Sequence, residues 1–202
     1  MILTLGIDPS RNSSGIALCT PDGPLWATNI RFKVSVDGKP THSFLRVVRE
    51  QEAIEIRVDE SCALLHRLLD MPHFVCEQAP PTYNQKGRGR KHGAGAAYKM
   101  GMGLGGATDT WCSWAARYTG REPVLWPVAE WRRYWSIGKC ADRDAYKAAA
   151  VRLVKANGWG GHVPDGPASG VAGDIAEAIL IGVGHARRLA PVGGPRLRKV
   201  KG

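Results

Sequence analysis

Three short apolar segments separated by turn residues lie within residues 1–36, and their arrangement restricts the fold more than any other feature. The segments cover residues 1–8, 15–19 and 25–36. The first is followed by Pro-Ser-Arg-Asn-Ser-Ser and the second by Pro-Asp-Gly, and both are turn sequences. Connections this short join antiparallel strands. The chain therefore predicts an antiparallel meander of three strands at its start.

The rest of the chain alternates helical and strand patterns. Residues 43–69 contain neither Gly nor Pro and have apolar residues mostly at three- and four-residue steps, as in an amphipathic helix. Further patterns predict strands at 73–77 and 123–126, a Gly-rich and basic loop within 84–106 that runs into a helix to residue 118, and helices at 129–135, 142–157 (N-cap Asp142) and 174–189. We therefore expect an α/β domain of three layers over residues 1–190, with a five-stranded mixed sheet flanked by helices.

Charge restricts the class of partner. The 202 residues include 28 Lys and Arg against 18 Asp and Glu, which gives a formal net charge of +10. Such an excess favours a polyanion, either a nucleic acid or an anionic membrane surface. Residues 191–202 contain basic side chains and no acid, so we expect a disordered basic tail there.

The sequence also indicates a compartment. It contains no run of about 20 apolar residues, and its first residues lack the pattern of a signal peptide. We therefore expect a cytoplasmic protein without a membrane partner. The five cysteines show no CxxC spacing and no cluster with His, which predicts free thiols rather than disulfides or a zinc site. Most tryptophans lie at helical spacing, which favours a place in the core or at a dimer interface.

Four acidic residues lie at the ends of predicted elements. Asp8 ends the first strand and Glu77 ends the fourth, so parallel pairing of these strands would bring both to one edge of the sheet. Asp174 and Glu177 are three residues apart, on one face of the last helix. Carboxylates that converge raise one another's pKa unless cations lie between them. Oxygen ligands suit Mg²⁺, with Mn²⁺ as a substitute, and two such ions about 3.5–4 Å apart hydrolyse phosphodiesters. We expect no small-molecule cofactor.

Three motifs follow one another in a fixed order. They are Leu5-Gly6-Ile7-Asp8-Pro9-Ser10 with Ser14-Gly15-Ile16-Ala17, then Val75-Cys76-Glu77-Gln78, then Gly173-Asp174-Ile175-Ala176-Glu177-Ala178. In order and spacing they resemble the RuvC-type Holliday junction resolvases of the RNase H-like superfamily, especially their bacteriophage relatives. The resemblance spans nearly the whole chain.

The resemblance implies an RNase H-like fold and a homodimer that binds four-way or otherwise branched DNA. It also implies a crossover junction endodeoxyribonuclease, which nicks symmetrically opposed strands during recombination or repair and leaves 5′-phosphate and 3′-hydroxyl ends. A phage-encoded protein of this kind would act in the cytoplasm of a bacterial host. The implied catalytic residues are four metal-binding carboxylates and one lysine: Asp8, Glu77, Asp174, Glu177 and Lys147.

DNA contacts are expected in the turn after the first strand and in the segment that follows Glu77. Lys and Arg set among glycines form a cationic loop there, and phosphate contacts are its obvious use. The predicted DNA-binding residues are Ser10, Arg11, Tyr83, Lys86, Arg88, Arg90 and Lys91.

Two departures from the bacterial resolvases affect this interpretation. Those enzymes have Asp where this chain has Glu177, which has a longer side chain. They also place a Phe soon after the Glu-Gln pair to open the junction, whereas Ala79, Pro80 and Pro81 follow here and Tyr83 is the nearest aromatic residue. The sequence is therefore also compatible with substrates other than four-way junctions.

Three other functions are compatible with parts of the pattern. An RNA-processing nuclease similar to the YqgF family has a similar motif on its first strand. A protein that binds branched nucleic acid without catalysis would use the basic loop alone. An actin-like or sugar-kinase phosphotransferase also begins with a strand and an acidic turn, but such chains need two domains of this type, and 202 residues disfavour it.

Overall fold

A five-stranded mixed sheet forms the centre of the computed structural model, which describes residues 2–9, 13–31, 33–36, 39–42, 51–60, 72–78, 94–168 and 170–190. The strands of this sheet are β1 (Thr4–Asp8), β2 (Ser13–Cys19), β3 (Pro24–Arg31), β6 (His73–Gln78) and β7 (Val124–Pro127). Their order is β3-β2-β1-β6-β7. The first three strands pair antiparallel, whereas β6 is parallel to both β1 and β7. The predicted mixed sheet is confirmed.

Helices cover both faces of this sheet. The described helices are α1 (51–60), α2 (Ala94–Thr119), α3 (Val128–Tyr134), α4 (Arg143–Ala156) and α5 (Val171–Leu189), with a 3₁₀ turn at Gly160–His162. The Asp142 side chain accepts a hydrogen bond of 2.8 Å from the backbone N–H of Ala145, so its predicted role as the N-cap of α4 is confirmed. None of the helices described has the length and apolar character needed to cross a membrane.

The predicted third strand at 25–36 is wrong in its second half. Only its first part, β3, belongs to the main sheet, whereas β4 (Lys33–Val36) pairs antiparallel with β5 (Lys39–His42) in a separate two-stranded sheet. The sequence between β4 and β5 is Asp37-Gly38, which is a typical hairpin turn pair. Residues 33–36 therefore pair with β5 in a local hairpin instead of continuing β3 in the main sheet.

The start of the last helix was also predicted too late. It begins at Val171 rather than at Asp174, so Gly173 lies inside its first turn and does not interrupt it. A Cβ at Gly173 would lie 1.9 Å from the carbonyl oxygen of Ala168 and 2.8 Å from the Lys147 side chain. This glycine is present because neighbouring chain passes close to the helix, and not because the helix ends there.

The core consists of two apolar clusters, one on each face of the sheet. Leu5 and Ile7 face the cluster that contains Trp111 and Trp114 of α2. The opposite cluster is built around α5 and contains the other buried tryptophans, Trp126, Trp131 and Trp135. The expectation that the tryptophans lie in the core is met for these side chains. Successive side chains of a strand point to opposite faces, and Leu5 and Ile7 face the cluster of α2. Gly6 and Asp8 therefore face α5.

Cys19, Cys76, Cys112 and Cys140 are free thiols, as the sequence predicts, while Cys62 lies outside the described residues. The basic tail at 191–202 and most of the predicted helix at 43–69 also lie outside them.

Glycines allow α5 to approach the sheet at backbone distance. A Cβ at Gly6 would lie 2.3 Å from the carbonyl oxygen of Ala178, and one at Gly15 would lie 2.0 Å from that of Asp174. Real Cβ atoms do not occupy such positions, so any larger residue at Gly6 or Gly15 must displace the helix. The position of Asp174 and its neighbours is therefore set by the glycines of β1 and β2.

We expect Gly15→Ala to lower the free energy of unfolding by about 1–3 kcal/mol or more, because the new methyl group overpacks the contact between β2 and α5. Gly161→Ala is the matched control, since a Cβ there has no atom within 4 Å among the described residues. Urea denaturation measures both. Equal stability of the two variants would contradict this account of the helix position.

Candidate active site

Asp8 and Glu77 lie at the carboxyl ends of two neighbouring parallel strands. Ile7 of β1 is in register with Cys76 of β6, which places the two acids at the same edge of the sheet. Asp8 is 3% exposed, and Glu77 is partly buried. Glu77 Oε2 accepts a hydrogen bond of 2.9 Å from the indole N–H of Trp131 on α3. The parallel pairing that the strand ends predict is thus present.

Asp174 and Glu177 reach the same place from the first turns of α5. They are 4% and 3% exposed. Asp174 Oδ2 accepts hydrogen bonds from Ser13 Oγ at 2.6 Å and from Asn29 Nδ2 at 3.2 Å, so β2 and β3 fix this carboxylate. Its other oxygen, Oδ1, accepts a hydrogen bond from the ammonium group of Lys147.

Two cations face the acids from the helix side. The Lys147 Nζ, on α4, also lies 3.7 Å from Glu177 Oε2, and Lys147 is 1% exposed. Arg132 of α3 places its Nη2 3.2 Å from Glu177 Oε1. The Arg132 guanidinium carbon lies over the Tyr146 ring, 4.0 Å from its centroid, in a cation–π contact. Both oxygens of Glu177 are therefore paired with a cation.

The remaining charge is unbalanced. Four carboxylates face two cations, Lys147 and Arg132. Asp8 has no ion-pair partner among the described residues, and its Oδ2 is buried there without a hydrogen bond. An unpaired buried carboxylate oxygen is costly, because it has lost its hydration. Such an oxygen is open to a cation that the chain itself does not supply.

The pKa values report the same imbalance. Burial, together with the charges of Glu177, Glu77 and Asp174, raises the pKa of Asp8 well above its usual value. Burial and the Glu177 charge raise the pKa of Glu77 from 4.5 to about 7, against the opposing effects of Arg132 and Trp131. Both shifts identify a site with too little positive charge.

The pKa of Lys147 is raised, although burial alone would lower it. Burial alone lowers the pKa of an ammonium group, but the carboxylates of Asp8, Glu177 and Asp174 outweigh it and raise the pKa of Lys147. The lysine therefore stays charged at neutral pH and acts as a fixed counter-ion inside the cluster. The carboxylates and the lysine proposed from the sequence are thus brought together: Asp8, Glu77, Asp174, Glu177 and Lys147.

Several contacts of this site were not predicted from the sequence. Ser13 and Asn29 orient Asp174, while Trp131 and Arg132 bind Glu77 and Glu177. The only sequence signal is the arginine pair that follows Trp131 in helix α3, and this does not reveal which arginine faces the acids. In the arrangement described, no three Asp, Glu, His or Cys side chains surround a common position for a metal ion. The predicted DNA-binding residues lie outside the described residues: Ser10, Arg11, Tyr83, Lys86, Arg88, Arg90 and Lys91.

Two surface cavities are lined by residues that contact the cluster, although no carboxylate of the cluster lines either one. One, of about 850 Å³, is lined by Gln78 of β6 and by Arg132, next to Glu77. The other, of about 540 Å³, is lined by Asn29 of β3 and by Ile175, next to Asp174. Each cavity therefore borders the cluster through a side chain that binds one of its carboxylates, Arg132 to Glu177 and Asn29 to Asp174.

The fold is similar to that of a solved RuvC structure. Thermus thermophilus RuvC in complex with a Holliday junction substrate matches with a TM-score of 0.53 and 17% sequence identity, over 92% of this chain and 93% of that chain. A second structure of T. thermophilus RuvC matches at 21% identity with a TM-score of 0.49, over the same shares. No family model and no curated protein sequence matches the chain. The RNase H-like α/β fold predicted from the motifs is confirmed.

We expect Glu77→Gln to change the pH dependence of stability in a buffer that contains a metal chelator. The folded protein binds the Glu77 proton more tightly than the unfolded chain, so the free energy of unfolding falls as pH rises from 4.5 to about 7. Gln retains the acceptor for Trp131 but cannot ionise. Relative to wild type, the variant should gain up to about 3 kcal/mol across this interval.

Urea denaturation at a series of pH values measures this gain. Glu122→Gln is the control, because Glu122 is exposed and precedes β7, whereas Glu77 is in register with Trp126 near the carboxyl end of that strand. Parallel stability curves for wild type and Glu77→Gln would show that the Glu77 carboxylate does not carry the expected charge conflict.

Proposed function

We propose that this protein is a divalent-metal-dependent endonuclease that cleaves branched DNA, with four-way junctions as its main substrate. The observation that carries the proposal is the buried carboxylate cluster at the sheet edge, in which Asp8 has an unpaired oxygen and four acids face two cations. The net charge of +10 supports a polyanionic substrate. The likeness to a RuvC fold agrees with this proposal but does not by itself assign an activity.

The donor chemistry of the cluster fits Mg²⁺ or Mn²⁺. Its ligands are carboxylate oxygens only, which these hard cations prefer, and a divalent ion would balance the charge that Lys147 and Arg132 leave uncompensated. Asp8, Glu77, Asp174 and Glu177 would hold two ions after their side chains turn toward common positions, which they do not surround in the arrangement described. When bound, such ions activate water and neutralise the charge that develops on the phosphodiester.

The chain's own residues prepare the site for this reaction. Ser13 and Asn29 hold Asp174 Oδ2 in place, and Trp131 holds one oxygen of Glu77, so these contacts restrict how the two carboxylates are oriented. Lys147 forms ion pairs with Asp174 and Glu177 and is positioned to balance negative charge near the scissile phosphate.

Symmetric cleavage of a junction requires two such sites, and we therefore propose a homodimer. Glu177, which stands where the bacterial resolvases have Asp, is compatible with the proposed nuclease site. Its carboxylate contacts both Lys147 and Arg132 and lies on the same helix face as Asp174. A broader preference for forks and other branched DNA belongs to the same proposal.

We expect Asp8→Asn and Asp174→Asn to reduce nicking of a labelled four-way junction by more than about 100-fold, since even outer-shell partners of metal ligands change activity by 10- to 100-fold. Binding of the junction should persist, because each substitution removes a negative charge. The assay uses Mg²⁺, Mn²⁺ and EDTA, with fork, duplex and structured RNA as comparison substrates. Asp165→Asn is the matched control, because Asp165 is exposed.

Paired, metal-dependent nicks that both site variants lose are the expected result. Tight binding of the junction without cleavage in any metal would contradict the nuclease proposal and favour a binding protein. Preferential cleavage of the structured RNA would contradict the choice of DNA as substrate.

A further inference from the structure

A cationic groove lies beside the carboxylate cluster. It is the cavity of about 850 Å³ between α3, α4 and the ends of β6 and β7. Arg132, Arg133 and Lys139 line it, and its described lining residues include no acid. Pro127 and Ile137 add apolar surface. This combination suits a ligand with negative charge along one side and apolar rings along the other.

Arg132 joins the groove to the cluster. Its guanidinium stacks on Tyr146, a lining residue, while its Nη2 lies 3.2 Å from Glu177 Oε1. Its Nε is buried and has no hydrogen-bond partner among the described residues. Gln78, the residue after Glu77, lines the same groove. A ligand bound there would therefore lie next to the carboxylates and not at a separate place on the surface.

The turn at the groove contains a strained serine. Ser136 has a φ of 55° and is the only non-glycine residue of the described chain with positive φ. It ends α3 in a Schellman motif, in which the N–H of Ser136 donates to the carbonyl of Arg133 and that of Ile137 to the carbonyl of Arg132. Glycine is the usual residue at this position, because a side chain there is strained. Ser136 lines the groove, so this strain coincides with a candidate contact.

We propose that this groove, which we call the Ser136 groove, binds a single strand of the nucleic acid whose adjacent phosphate lies at the carboxylates. The proposal rests on the proposed function in one respect, namely that the ligand at the cluster is a nucleic acid. Arg133 and Lys139 contact backbone phosphates, Ser136 donates a hydrogen bond to one of them, and Arg132 faces the phosphate nearest the cluster. The groove thereby determines which strand of the nucleic acid runs from the carboxylates along α3.

The binding test uses a fluorescein-labelled oligothymidylate and fluorescence anisotropy in EDTA, over a series of salt concentrations. The double variant Arg133→Ala with Lys139→Ala should bind at least about tenfold more weakly. Its plot of log affinity against log salt should be less steep by about 1.4, as expected for the loss of two phosphate contacts on a single strand.

The double variant Arg152→Ala with Lys155→Ala is the matched control. It has the same change in net charge, and both side chains are exposed on α4 away from the groove. We expect its affinity to change less than about threefold. Equal losses in the two double variants would show that net charge alone governs binding, and would overturn the proposal.

Ser136→Gly tests the serine by two readouts that move in opposite directions. The variant should unfold at a higher urea concentration, because glycine relieves the positive φ, and should bind the oligothymidylate roughly threefold more weakly, because one hydrogen bond is lost. A stabilised variant with unchanged affinity would overturn the role of Ser136 in the groove.

The two proposals fail in different ways. Binding that depends on the groove, in a protein that never cleaves nucleic acid, would refute the nuclease and support the groove. Normal cleavage together with equal losses in the two double variants would refute the groove and leave the nuclease intact.

Discussion

The close contact between α5 and the sheet is the constraint on which the rest of this structure depends. Gly6 and Gly15 let the helix lie against the backbones of β1 and β2, at distances that no Cβ would permit. Asp174 and Glu177 belong to the first turns of that helix, so the same contact brings them to the end of β1, where Asp8 lies. The packing of the core and the assembly of the acidic cluster therefore share one cause.

The cluster is destabilising by itself, and the neighbouring cations offset only part of that effect. Lys147 and Arg132 pair with Asp174 and Glu177, whereas Asp8 and Glu77 keep raised pKa values. A chain selected for stability alone would replace such buried acids with apolar residues. Their presence at the sheet edge is explained if a divalent cation completes the charge balance during function.

The sequence predicted the fold where a local pattern and the tertiary structure agree. The strand ends at Asp8 and Glu77 and the Asp174–Glu177 spacing were sufficient to place the acids together, because parallel strands end at one edge and helix residues three apart share a face. The β4–β5 hairpin was missed although its turn sequence is local, because the alternating pattern of β3 continues into β4. The early start of α5 was missed because Gly173 packs against Lys147, a neighbour distant in sequence. For the same reason Ser13, Asn29 and Arg132 gave no signal before the fold was known.

Mn²⁺ titration followed by electron paramagnetic resonance shows whether the cluster binds a divalent cation through Asp8. The signal of free Mn²⁺ falls on binding, and needs neither DNA nor cleavage to be observed. Metal binding through Asp8 predicts saturable Mn²⁺ binding by the wild-type protein and a loss of affinity of more than about tenfold in Asp8→Asn. Equal binding by both proteins, or no binding by the wild type, would contradict it.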